Sequence, residues 1–292
     1  MRTRLSYLIT QAAKNDPQVI VLSSDHGYAL FDEIRKECPN QFINTGIIEQ
    51  AMIGIAAGLA HEGFKPIVYG LASFVPMRCL EQIKIDICYP KLPVIIIGDG
   101  AGLVYSTLGA SHHCAEDLAC LRSMPNLEIY QPADAHELGF SFESAMNGAC
   151  PAYIRIGRTD LGKLPYDYSD ETRKFCLTGA GSMGIKAALL ANRLKLNSYV
   201  PSKIKPLQAG MISYLSEFQN VIVFEEHSKY GGFYSSIAEE ISEKKGHRPR
   251  VIPICLKDQF ADKCGSWQYV LSEHKMDDAS LERRVKEILK GT

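Results

Sequence analysis

Six short runs rich in β-branched residues alternate with stretches of helical spacing between residues 19 and 156: VIVLS (19–23), FIN (42–44), PIVYG (66–70), VIII (94–97), LEIY (127–130) and AYIRI (152–156). Strands separated by helices cannot pair through tight hairpins, so the pattern predicts a parallel sheet covered on both faces. A second α/β set follows. It comprises KFCLTG (174–179), a helix from about residue 182, NSYV (197–200), NVIVFEE (220–226), a helix from about residue 232, RVIPICL (250–256) and a final charged helix.

The stretch RTDLGKLPYDYSDET (158–172) lies between the two sets and is polar, with no periodic apolar pattern, as expected of a crossing linker. The expected organisation is α/β throughout: a parallel-sheet domain over 1–160, a linker over 161–171 and a smaller α/β domain over 172–292. With 46% hydrophobic residues, 292 residues can bury a core in each.

The charge balance, 32 Lys+Arg against 33 Asp+Glu, leaves no basic stripe and argues against a nucleic-acid partner. The opening MRTRLSYLITQAAKND carries charges where a signal peptide is apolar, and no apolar run reaches membrane-spanning length. A cytoplasmic protein with no membrane partner is expected. Nine cysteines without a C-x-x-C pair, and no His cluster at ligand spacing, read as reduced thiols and no metal site.

In NTGIIEQAMIGIAAGLAHEG (44–63), Glu49 and Gln50 are the only strongly polar side chains between Gly46 and Ala60. A helix apolar nearly all round is expected to be buried. A carboxylate at its mouth gains from the helix dipole, but its desolvation is costly unless a partner meets it. From spacing alone, Glu49 caps its own helix or pairs with a nearby Arg.

G-I-x-E-Q-x-M followed by G-x-A-A-G-L-A resembles the pyrimidine-domain signature of transketolases and 1-deoxyxylulose-5-phosphate synthases. RCLEQIKIDICYPKLPV (78–94), GASHHCAEDLACLRSMPNLEIYQPAD (109–134) and VFEEHSKYGG (223–232) resemble further segments of that family, in the same order. Together they extend the resemblance over nearly the whole chain.

The resemblance implies a pyrimidine-binding domain followed by a transketolase C-terminal domain, and it assigns roles. Glu49 is implied as the carboxyl bonded to the aminopyrimidine of thiamine diphosphate, favouring the imino tautomer that deprotonates the cofactor's own thiazolium. Phe74, in GLASFVPMR, is implied as a stacking partner for that ring, with Ile48 and Leu71 beside the cofactor. Leu71 stands where relatives usually have an aromatic, and an isolated Phe is more often core.

His112, with His113 beside it, is implied to bond the donor ketose. The pair follows a Gly-rich loop (98–110) and precedes a helix expected near Cys114, and without the other segments it would read as two exposed loop histidines. Arg4, in T-R-x-x-Y, and Arg155, or alternatively Arg158, match positions that hold a substrate phosphate, which the planar guanidinium fork suits. The ordinary alternative for each is an ion pair.

The family's G-D-G, followed by Asn-Asn, holds a divalent metal and the diphosphate in a domain that precedes this one. Here Gly98-Asp99-Gly100 lies inside the pyrimidine-domain match and no Asn-Asn follows, so it reads as coincidence. The resemblance therefore implies an N-terminal diphosphate-binding partner subunit that carries Mg2+ or Ca2+. It further implies an α2β2 assembly and self-association through both domains. Leu108 stands where relatives commonly have an Asp that reads a sugar hydroxyl, which points to a specialised sugar.

The implied activity is transfer of a two-carbon ketol unit from a ketose phosphate to an aldehyde. A synthase like that for 1-deoxyxylulose 5-phosphate, a 2-oxo-acid dehydrogenase β-type subunit and a non-catalytic assembly subunit are the alternatives. Glu225, Glu226 and His227 are expected to be structural, in a dimer-forming domain, rather than part of an anion site at Gly231-Gly232.

Overall fold

The computed structural model describes residues 1–158, 161–165 and 171–291. Its first half runs α1 (Arg2–Asn15), β1 (Val19–Ser23), α2 (Asp32–Glu37), β2 (Phe42–Asn44), α3 (Glu49–His61), β3 (Lys65–Leu71), α4 (Val75–Arg78) and α5 (Leu80–Gln82). A π-helical turn over Ile83–Cys88 follows, then β4 (Ile95–Asp99), α6 (Asp117–Arg122), β5 (Glu128–Tyr130), α7 (Ala135–Asn147) and β6 (Ala152–Ile156). The second half contains β7 (Phe175–Gly179), α8 (Gly181–Leu194), β8 (Asn197–Tyr199), β9 (Lys203–Lys205), α9 (Met211–Leu215), β10 (Asn220–Ser228), α10 (Phe233–Glu243), β11 (Arg250–Leu256), α11 (Trp267–Glu273) and α12 (Asp278–Lys290).

The strands form a seven-stranded sheet, β2-β1-β3-β4-β6-β5-β9, and a four-stranded one, β11-β10-β7-β8. Every pairing is parallel except β5 with β9. Successive strand residues point to opposite faces, so the apolar runs feed two cores at once. Val19, Val21, Ile67, Ile95 and Ile97 pack beneath α1 and α7, whereas Ile20, Leu22, Val68 and Ile96 pack beneath α3 and α6. The second core continues into Val221, Val223, Phe233 and Ile237, which joins the two sheets through one apolar interior.

Three details differ from the sequence expectation. The helix after His113 begins at Asp117, because Gly102 and Cys114 first form an isolated bridge that holds the loop extended. β9, from the second half, completes the first sheet. The outward face of α3 is open, with Ile55 42% exposed and Gly54 and Gly58 meeting nothing within 4 Å of a built Cβ. Of the linker expected over 161–171, residues 166–170 lie outside the described residues. Among the described residues no helix is long and apolar enough to cross a membrane.

Candidate active site

In a parallel sheet the loops after the strand C-termini gather at one edge, and β2, β3 and β4 deliver three of them there. After β2, Asn44 Oδ1 accepts the Gly46 N–H at 2.9 Å, and Gly46 takes φ +74, a left-handed turn that glycine adopts without strain. This turn starts α3 at Glu49, with Ile48 as N-cap and 47% exposed. Glu49 itself is 4% exposed, although its helix opens towards solvent on the other side.

The Glu49 carboxylate is met by Arg78, whose Nη1 donates to Oε2 at 2.9 Å, while Oε1 takes no hydrogen bond from the described residues. Arg78 closes α4, four residues after Phe74, so both lie on one helical face. The guanidinium carbon sits 4.6 Å from the centre of the Phe74 ring. Phe74 in turn meets the His112 ring edge to face, with centroids 5.1 Å apart. Glu49, Arg78, Phe74 and His112 thus form one continuous series drawn from three loops.

Leu71 ends β3, partly buried and paired with Asp99. His112 is partly exposed, its Nδ1 3.0 Å from Ser111 Oγ. His113 turns the other way: it is 8% exposed, and its Nε2 has no partner. Burial, reinforced by His274 and His112, keeps its pKa below the ordinary histidine value, so it stays neutral.

Arg155 is corrected by the structure. It is 1% exposed, and its Nε donates to both oxygens of Asp117, at 3.1 and 2.8 Å. Its Nη2 donates to the carbonyls of Cys114 and Glu226, and Tyr153 Oη adds a bond to Asp117 at 2.8 Å. A guanidinium sealed in the core and neutralised there cannot receive a phosphate. Arg4 is exposed on α1, 5.3 Å over Tyr7 and beside Gly139, while Arg158 lies 5.4 Å over Trp267.

Packing accounts for both glycines of the G-D-G. A Cβ on Gly98 would fall 2.4 Å from Tyr153 Oη, and one on Gly100 would fall 1.9 Å from the Tyr105 ring. At the start of α10, Glu225 from β10 accepts the N–H groups of Phe233 and Tyr234, so the protein's own carboxylate occupies the helix end beside Gly231-Gly232. Glu226 accepts from Leu103 N at 2.7 Å, Trp267 Nε1 at 2.9 Å and Ser182 Oγ at 3.3 Å, tying the second sheet to the loop that carries His112. Burial raises its pKa despite these bonds.

The Glu49 neighbourhood suits a flat, hydrogen-bonding aromatic ring. The planar Arg78 guanidinium bonds the carboxylate and covers Phe74 at once, which are the two contacts an aminopyrimidine needs. Among the described residues no group of three His, Cys, Asp or Glu side chains could hold a metal. Arg78 opens the RCLEQ motif and is the site residue that motif matching passes over; its i+4 spacing from Phe74 is the signal that marks it.

Residues 1–163 match the transketolase pyrimidine binding domain. The chain is 32% identical over 256 residues to one subunit of the apulose-4-phosphate transketolase of Phocaeicola vulgatus, covering 80% of this chain and 81% of that protein. It is 29% identical over 299 residues to 1-deoxy-D-xylulose-5-phosphate synthase of Natranaerobius thermophilus, covering 96% of this chain but 47% of the synthase. A solved split-gene transketolase, an inactive β4 tetramer, superposes with a TM-score of 0.83 at 27% identity, covering 99% of this chain and 97% of the other.

Proposed function

We propose that this chain, which belongs to the transketolase family, is the pyrimidine-binding subunit of a split thiamine-diphosphate transketolase whose diphosphate half is a separate polypeptide. The observation that carries this reading is Glu49, a carboxylate buried at a helix mouth next to Phe74 and His112. Two relatives, the apulose-4-phosphate transketolase subunit and the split-gene transketolase, support it.

Thiamine diphosphate, when bound, would supply the nucleophilic carbon that ketol transfer needs. Glu49 would hold a proton against the aminopyrimidine, and Phe74 would fix the plane of that ring, with Ile48 and Leu71 at its margin. Arg78 would give up the face of Phe74 that it covers. His112 would bond the donor's oxygen, and the buried His113 would support the loop. Arg4 and Arg158 remain the candidates for the substrate phosphate, and Arg155 is no longer one.

The division into domains over 1–160 and 172–292 belongs to the same reading. The open face of α3 supports a partner subunit seated there, with Mg2+ or Ca2+ and the diphosphate on the partner's side, in an α2β2 assembly within the cytoplasm. Leu108, apolar and 54% exposed in the His112 loop, supports an acceptor other than an ordinary pentose phosphate. A comparison of acceptors in which ribose 5-phosphate proved clearly the best would remove that part.

The test uses the chain reconstituted with its partner. Glu49→Gln and Glu49→Ala should lower ketol transfer at least about 100-fold while assembly persists. Retained activity would leave a non-catalytic assembly role. The synthase relative favours a second reading, in which the wild-type complex releases carbon dioxide from pyruvate in the presence of an aldehyde phosphate.

A further inference from the structure

A second polar cluster lies on the same sheet edge, outside the Glu49 series. Asp99, at the end of β4, is 5% exposed, and its Oδ2 accepts the Tyr105 hydroxyl at 3.0 Å. His26 Nε2 lies 3.3 Å from that oxygen and 3.1 Å from Tyr105 Oη. The His26 ring stacks on Tyr69, with centroids 5.7 Å apart and planes 11° from parallel. Tyr69 Oη is buried within the field of Asp99 but makes no hydrogen bond within 3.5 Å.

Burial opposes ionisation of Asp99, yet hydrogen bonds from His26 and the charges of His26 and Arg2 outweigh it and hold its pKa below the ordinary value. An ionised Asp99 can only accept, so His26 turns a protonated Nε2 towards it and keeps Nδ1 as the nitrogen not engaged by the cluster. Nδ1 takes no hydrogen bond from the described residues, and the side chain is 25% exposed.

A tight loop carries the ring. Asp25 takes φ +57 and Gly27 φ +80 on either side of His26, and Ser23 Oγ donates to the His26 carbonyl at 2.7 Å. The same loop reaches the Glu49 turn, because Asn44 Nδ2 donates to Asp25 Oδ1 at 2.9 Å and Thr45 N to the Ser23 carbonyl at 2.9 Å. One loop also links the two clusters on the far side: Tyr105 closes a turn with Leu108, four residues before His112, and Ala72 N donates to the Asp99 carbonyl two residues before Phe74.

We infer that His26 is a specificity-determining residue that hydrogen-bonds an acceptor hydroxyl, with Asp99 and Tyr105 as positioning residues that hold its ring. The Asp99 carboxylate behind the ring suits an uncharged hydroxyl partner and disfavours a phosphate dianion, which it repels. Leu108, in the loop that carries Tyr105 and His112, presents only an apolar side chain, so a hydroxyl needs a polar reader elsewhere on this sheet edge. The inference rests on the transketolase reading above.

The experiment uses the reconstituted complex with the best of a panel of hydroxyaldehydes and its singly deoxygenated analogues. His26→Ala, in a surface loop, and the isosteric Asp99→Asn should each raise the acceptor KM about tenfold. Donor KM should stay unchanged, and the penalty should vanish for one deoxygenated analogue. An active wild-type complex whose His26→Ala variant keeps every acceptor KM within twofold overturns this inference alone. A wild-type complex that transfers from no ketose phosphate overturns the transketolase reading, and this inference with it.

Discussion

Arg78 Nη1 donates to Glu49 Oε2 at 2.9 Å while its guanidinium covers the Phe74 ring. One flexible cation therefore occupies both surfaces that an aminopyrimidine ring would use. Its side chain is 45% exposed, so it can swing out without opening the core. Arg78→Ala should tighten thiamine diphosphate binding to the assembled complex about two- to fivefold, the range expected for losing one half-exposed ion pair as a competitor. A fluorescence titration checks this, and weaker binding in the variant would mean that Arg78 supports the bound cofactor instead.

The Arg155 and Asp117 pair should behave as core. Arg155→Met leaves a buried carboxylate unneutralised and should cost about 3–5 kcal/mol in urea unfolding. Adding Asp117→Leu should recover much of that loss, since a buried pair replaced by apolar groups is often neutral. A phosphate-binding residue would give the opposite profile, a raised substrate KM with unchanged stability.

Asp134 caps α7, its Oδ1 accepting from His136 N and Glu137 N, and Glu137 Oε2 reaches back past the cap to accept from Ala133 N at 2.7 Å. Burial, with Asp134 nearby, pushes its pKa up to about 7. A carboxyl raised in the folded state contributes stability below its unfolded value near 4.5 and loses it as pH rises through 7. Glu137→Gln keeps the acceptor and removes the charge. It should raise the unfolding free energy at pH 8, by on the order of 2–3 kcal/mol, and leave it nearly unchanged at pH 5.

Gly54 and Gly58 are solvent-facing helical positions with open space around them. Alanine at either should stabilise the isolated chain by up to about 1 kcal/mol, because glycine loses more backbone entropy in a helix. Leucine at Gly58 should retain that gain in thermal unfolding yet block close approach of a second helix. Loss of partner binding by size-exclusion chromatography would place the interface on α3, and unaltered assembly would place it elsewhere.

The strands of both sheets were legible because buried parallel strands read as continuous apolar runs. β9 was not: KIK offers three residues, two of them charged, and its pairing depends on an edge supplied by β5 from far along the chain. Arg155 misled for a related reason. An Arg within AYIRI reads as a functional side chain until Asp117, 38 residues earlier, is brought against it. Glu49, Phe74 and His112 were legible through motif spacing, whereas the His26 cluster has no fixed spacing and exists only where three strand ends meet. The all-apolar pattern of α3 records every surface the helix is suited to, including one that this chain does not itself cover.

The antiparallel strand β9 sets how far this polypeptide can be divided. Lys203 reaches back to Glu128 at 2.8 Å, and the strand caps β5 with a short, cationic border. Cutting the chain near residue 165 would strip that border away and leave β5 with unsatisfied amides, a template for edge-to-edge aggregation. Either half expressed alone should therefore lose solubility, whereas the uncut chain keeps it.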